Sequence, residues 1–194
     1  MTSALVIIDL QDGFNDPFCG ATNPGTACRE NCLALADAFL GAGLPVVLVR
    51  HDSDRPSSPL YPGTPGNHLD RSLPTDRATL LVTKTVNSAF YGTPDLDSWL
   101  RGTRVDTIVV AGIQTNMCVE TTARMGGNLG YRVILPIDAT RTFDLVGPTV
   151  DGETWFLTAD ELVRATAVSL HGGGFAEVAT TQRLLKRLGA GALQ

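Results

Sequence analysis

Three side chains in this 194-residue chain have the types and places from which covalent chemistry is built. Cys118 lies in "VVAGIQTNMCVETTARMGG", where a short apolar strand runs through a turn into a helix whose first turn carries the thiol. Asp9 follows the apolar run "VII" and Lys84 follows "LLVT", places where a charge is costly to bury unless it meets an opposite charge or does work. A thiol near a helix N-terminus feels the positive end of the dipole, and a neighbouring lysine adds to it. The spacing therefore predicts a lowered Cys118 pKa and a thiolate accessible near neutral pH. Thr115 or Asn116 is predicted to cap that helix, leaving outward N–H groups able to form an oxyanion hole. A carboxylate within reach of the sulfur takes its proton and later returns it to a departing amine.

The elements that must position these residues are legible as Val- and Ile-rich runs separated by helix-like segments. "ALVIIDL", "PVVLVRH", "TLLVTK", "TIVVAG", "RVILPID" and "AEVATT" lack polar alternation, as strands covered on both faces do. Helices are predicted around Ala27 to Ala42, Pro94 to Arg101, Cys118 to Leu129 and Ala159 to His171. The alternation predicts an α/β, Rossmann-like three-layer α/β/α fold with a mainly parallel six-stranded sheet and right-handed crossovers. Two stretches, "HDSDRPSSPLYPGTPGNHLDRSLP" and "TRTFDLVGPTVDGETW", read as long irregular loops, which in a compact domain serve as functional covers or oligomer contacts. Ligands of an open parallel sheet bind outside the carboxyl ends of its strands. Asp9 ends the first strand, Lys84 ends the third and Cys118 follows the fourth, so all three belong on one edge.

Composition narrows the class. No repeat, linker or composition shift divides the chain, which reads as one domain over residues 1–194. A formal net charge of -5 offers no basic patch for nucleic acid. The N-terminal "MTSALVIIDLQDGF" has no basic n-region and its apolar run is broken by Asp9, so it reads as a strand and not a signal peptide. No segment approaches the roughly 18 uninterrupted apolar residues of a membrane span, and a cytoplasmic location is expected. Cys19, Cys28, Cys32 and Cys118 show no CxxC spacing and no histidine cluster, so neither a zinc site nor a redox motif is indicated. Cys28 and Cys32 fall four apart on one helix, where small half-buried thiols are common.

The motifs "VIIDLQDGF", "KTVNSAFYGT", "VVAGIQTNMCVETTAR" and "GYRVILPIDATRTFD" resemble, in order and spacing over nearly the full length, those of the isochorismatase-like cysteine hydrolases, a group that includes nicotinamidase and N-carbamoylsarcosine amidohydrolase. The resemblance implies an Asp9, Lys84 and Cys118 triad. In it the cysteine attacks a carbonyl, the amine leaves with a proton from the aspartate, and water hydrolyses the thioester. It further implies an oxyanion hole of the Gln114 and Cys118 backbone N–H groups, a non-proline cis peptide at Ile113–Gln114, and no cofactor. Nicotinamidases carry a metal site with an Asp and a His two residues apart after the second strand. Here "RHDSDRPSSP" puts His51 before Asp52 and no histidine lies near Lys84, so no metal site is expected and nicotinamide is disfavoured. Siderophore-type members, which cleave a vinyl ether, lack the cysteine, so Cys118 favours cleavage of a C–N bond in a small polar amide, ureido or carbamoyl compound.

Phe14 and Phe143 are candidate apolar walls of the substrate site, and Asn87 and the Gln114 side chain candidate orienters of a polar head. His51 either lines the pocket or fastens its loop. Tyr91 and Trp155 are weaker candidates, and His68 and His171 read as surface or capping residues. "MGGN" inside a helix, where each Gly costs about 1 kcal/mol relative to Ala, points to close helix packing, with a homodimer or homotetramer expected from the resemblance. Two alternatives stand beside the amidohydrolase: a vinyl-ether hydrolase using Asp9 as acid, and a catalytically idle binding or assembly subunit.

Overall fold

The apolar runs become strands because their alternate residues feed two separate cores. In this computed structural model, which describes residues 2–23 and 27–193, the elements in chain order are β1 Thr2–Ile8, α1 Cys28–Gly41, β2 Val46–His51, β3 Leu80–Lys84, α2 Leu96–Gly102, β4 Val105–Ile113, α3 Glu120–Asn128, β5 Arg132–Pro136, β6 Thr140–Arg141, β7 Leu145–Val150, β8 Glu153–Leu157, α4 Ala159–Gly172, β9 Glu177–Ala179 and α5 Thr181–Gly189. Met1 and Gln194, the expected domain limits, lie outside the described residues. Leu5, Ile7, Val46, Leu48, Val109 and Ala111 point to one side of the sheet, where Leu35 and Phe39 of α1 and Leu184 and Leu188 of α5 cover them. Ala4, Val6, Ile8, Val47, Val49, Ile108 and Val110 point to the other, under Leu100 of α2, Ala123 of α3 and Leu170 of α4. The result is three layers, with the strands buried on both faces as their composition requires.

The sheet runs β3-β2-β1-β4-β5-β9, six strands paired in parallel, and the two-residue β6 adds a seventh beside β4. Counting the six in chain order gives 3-2-1-4-5-6, the doubly wound order in which the chain reverses direction across the sheet between β1 and β4. The crevice outside the carboxyl ends of those two strands is where this topology places a ligand. Register sets Leu5 beside Val46 and Val109, and His51 beside Lys84. Among the described residues, no helix is long and apolar enough to cross a membrane.

Two stretches differ from the sequence reading. The stretch after β5, expected to be irregular, holds β6 and an antiparallel β7-β8 hairpin. Its turn is Asp151-Gly152, both at positive φ, the backbone that a tight two-residue hairpin demands. Gly147 and Pro148 interrupt the apolar pattern of β7 and hide it. The chain after β9 turns at Thr180, whose side chain accepts from the Arg183 N–H, into α5, a helix the sequence reading left out. Finally, the glycines of "MGGN" are explained within the chain: a Cβ on Gly126 would stand 2.8 Å from Ile108 Cδ1 of the sheet, and one on Gly127 2.9 Å from the Phe175 carbonyl.

Candidate active site

Asp9 leaves the end of β1 with φ of 49°, a left-handed backbone that a non-glycine residue adopts only where its surroundings insist. Its N–H is held by the Val49 carbonyl of β2 at 2.9 Å, which aims the carboxylate along the carboxyl edge of the sheet. Lys84 starts two strands away on β3, and its stem crosses the end of β2 to reach the same point. Lys84 Nζ donates to Asp9 Oδ2 at 2.6 Å and to Cys118 Sγ at 3.4 Å, and stands 3.3 Å from His51 Nδ1. Both side chains of the Asp9 and Lys84 pair are fully buried. The second carboxylate oxygen, Asp9 Oδ1, has no hydrogen-bond partner.

Cys118 is brought to this pair by the end of β4. Gly112 lies at φ of 115°, and a Cβ there would sit 2.0 Å from the Ile8 carbonyl, so only glycine lets β4 approach β1 this closely at the crossover point. The Ile113–Gln114 peptide is cis. The chain then enters a π-helical turn, Thr115–Val119, before α3 begins. The expected cap is not formed by Thr115 or Asn116: Gln114 occupies the N-cap position without a side-chain bond, and its carbonyl accepts from the Met117 and Val119 N–H groups at 3.1 Å each. Thr115 instead donates to Thr140 Oγ1 at 2.9 Å, and Asn116 accepts from the Thr142 hydroxyl, so the two side chains tie the turn to β6 and to the residue that follows it.

The expected drop in the Cys118 pKa is not what the environment produces. Burial, and then the neighbouring Asp9 charge, push the thiol up to about 12 against the opposing pull of Lys84. Burial likewise raises Asp9, while Lys84 pulls it down. With the thiol 8% exposed, desolvation outweighs the cation and the turn dipole. At rest the thiol therefore keeps its proton, and Asp9 is the neighbouring group able to take it.

A cavity of about 290 Å³ with largely apolar walls lies between Phe14, Leu60, Gln114, Met117, Phe143 and Leu145; Met117 directly precedes Cys118 in the chain, but Asp9, Lys84 and Cys118 themselves are not in its lining. Phe14 and Phe143 stack with ring centroids 6.1 Å apart. Of the residues singled out from sequence, Phe14, Phe143 and Gln114 line this cavity, while Asn87 Oδ1 lies 3.9 Å from Cys118 Sγ. His51 is at Lys84 and outside the cavity lining. Tyr91 and Trp155 are exposed, as are His68 and His171. Met117 and Leu60 were missed; Met117 is one residue from the thiol, whereas nothing local marks Leu60. A larger groove of about 590 Å³ runs along the β7-β8 hairpin, and its lining, too, lacks Asp9, Lys84 and Cys118. Among the described residues, no group of three or more His, Cys, Asp or Glu side chains is arranged to hold a metal ion.

Comparison with known proteins places the chain in a family. A model of the family described as Isochorismatase domain matches residues 3–176. The chain is 33% identical over 182 residues to an isochorismatase family protein of Bacillus subtilis strain 168, covering 94% of each. It is 30% identical over 180 residues to a ureidoacrylate amidohydrolase of Methylobacterium radiotolerans, covering 72% of this chain and 67% of that one. A solved isochorismatase-family structure from Chromobacterium violaceum superimposes with a TM-score of 0.87 at 34% identity, covering 97% of this chain and 94% of the other.

Proposed function

The chain belongs to the isochorismatase family of hydrolases, and on that premise we propose that it is a cysteine-dependent amidohydrolase that cleaves a C–N bond of a small amide, ureido or carbamoyl compound. One observation carries the reading: a fully buried lysine bonded at once to a carboxylate and to a thiol, with the other carboxylate oxygen unpartnered. A buried ion pair of this kind is poor value for stability alone, which points to use in chemistry.

The steps follow from the groups present. As substrate enters, Asp9 Oδ1 takes the Cys118 proton, and Lys84 stabilises the thiolate that forms. The sulfur attacks the carbonyl carbon, and the oxyanion is met by the backbone N–H groups of Gln114 and Cys118. Collapse breaks the C–N bond, with Asp9 returning the proton to the departing nitrogen, and leaves a thioester on Cys118. Water, deprotonated by the same carboxylate, cleaves the thioester and restores the thiol. The apolar walls of Phe14, Leu60, Phe143 and Leu145 suit a substrate whose acyl side is apolar while its reacting group is polar. The ureidoacrylate amidohydrolase relative acts, by its name, on a C–N bond of the same general kind.

The test is release of ammonia or amine from a panel of amides, ureido and carbamoyl compounds by wild-type protein and by Cys118→Ala. The variant is expected to lose more than about a thousandfold of the rate while keeping its fold. Equal turnover by both proteins sinks the mechanism. It would favour the vinyl-ether reading, in which Asp9, its pKa raised by burial, acts as the acid.

A further inference from the structure

The Lys84 ammonium has three N–H bonds, and three atoms stand around it: Asp9 Oδ2, Cys118 Sγ and His51 Nδ1. The third of these has no part in the mechanism above. We infer that His51 is a positioning residue, which accepts one Lys84 N–H at Nδ1 and thereby fixes the ammonium so that another N–H points at the Cys118 sulfur. The inference rests on the reading of Cys118 as nucleophile.

Topology makes the role necessary. The strand order puts β2 between β3 and β1, and neighbouring strands are about 4.8 Å apart, so Lys84 and Asp9 start two strand spacings apart and their side chains must reach toward each other over the end of β2. His51 is the residue over which the Lys84 stem passes, and it is the register partner of Lys84 across the two strands. A four-carbon stem reaching over β2 leaves its head free to rotate unless each N–H has an acceptor. Asp9 holds one and His51 holds the second, so the third is directed at sulfur.

His51 is itself held from the backbone. Its N–H donates to Gln11 Oε1 at 2.8 Å, and its carbonyl accepts from Gln11 Nε2 and Asn67 Nδ2 at 3.0 Å each. Gln11 and Asn67 are both buried, and Asn67 Nδ2 also reaches Asp52 Oδ1 and the Leu60 carbonyl. Two buried amides clamping one residue at its N–H and carbonyl go beyond what strand pairing requires. For Nδ1 to accept, the ring must be neutral with its proton on Nε2. The groups that face it are Lys84 from β3, with Asp9 beyond it on β1, and Asp52 and Asp54 from the loop after β2. Burial first, then the Lys84 charge, lower the His51 pKa to about 4, so the acceptor persists across the neutral range.

The experiment is the rate of Cys118 alkylation by iodoacetamide between pH 6 and 10, read by peptide mapping, in wild type and in His51→Leu, His51→Asn and His51→Gln. Asn places an oxygen where Nδ1 stands, whereas the longer Gln carries its oxygen toward the Nε2 position. The Leu and Gln variants should react about tenfold more slowly at a given pH, and Asn within about twofold of wild type. His51→Ala replaces Leu should Leu fail to fold. Rates in Leu or Ala equal to wild type, or an Asn variant as slow as Leu, overturn the role. Alkylation needs no substrate, so failure to find any amide that turns over counts against the proposed function and leaves this measurement to stand alone.

Discussion

Asp9, Lys84 and Cys118 stabilise one another only as a set. Lys84→Met keeps the stem but leaves the Asp9 carboxylate buried without a counter-charge, and breaking a buried pair in this way costs about 3–5 kcal/mol. Asp9→Asn in the same background removes the orphaned charge. The double variant should therefore recover more than half of the loss, measured by urea denaturation as a double-mutant cycle. Strictly additive losses would mean that the two groups do not share an energetic contact. The types and places of these three residues were readable from sequence, since a charge ending an apolar run is conspicuous. The ionisation state of the thiol was not: the spacing showed a helix start and a lysine, whereas the depth of burial, which decides the sign, depends on everything packed above it.

At the scale of elements, the carboxyl edge of the sheet is finished by the loop between β2 and β3. That loop has little regular structure beyond the single 3-10 turn Pro65–Asn67, yet it is fastened to β1 and β2 by Gln11 and Asn67. Asn67→Ala takes one of two donors from each of the His51 and Leu60 carbonyls, which keep Gln11 Nε2 and the Ser53 N–H, and the two lost bonds should cost about 1–3 kcal/mol of stability. Limited proteolysis should then cut first between residues 52 and 70, and a cleavage pattern like that of wild type would show that Asn67 does not anchor the loop. Here the sequence reading identified a long Pro- and Gly-rich segment but not its fasteners, because Gln11 and Asn67 lie 56 positions apart and meet only in the fold. The β7-β8 hairpin and α5 were missed for a local reason: Gly147-Pro148 breaks one apolar pattern, and the Thr180 cap was absorbed into the preceding strand reading.

For the whole molecule, the same burial that shapes the site sets its response to acid. The folded pKa of His51, about 4, lies below the ordinary 6.5, so above pH 6.5 both the folded and unfolded chains carry it neutral and its contribution to stability is complete. As pH falls from 6.5 toward 4 the unfolded chain takes up the proton first, and stability falls. Asp52 adds to the loss at lower pH: burial pulls its carboxyl up, but hydrogen bonds from Arg50 and Asn67 outweigh that and hold it below the usual range. The Tm of wild type should therefore drop between pH 6.5 and 4, and that of His51→Asn should drop less. Parallel curves would show that His51 does not titrate with folding.

The amino-acid sequence by itself determined the alternation of strand and helix, the parallel sheet, and which three residues end up at its carboxyl edge, because apolar period and strand-end position are local properties of the chain. Family membership was legible in the same motifs, and the comparisons agree. Tertiary structure alone decided that β2 stands between the lysine and its aspartate, that His51 faces Lys84 and not the cavity, and that the cavity walls include Leu60 and Met117. Strand order, long-range amide bonds and burial arise from contacts between residues far apart in the chain, and the charge state of the thiol follows from their sum.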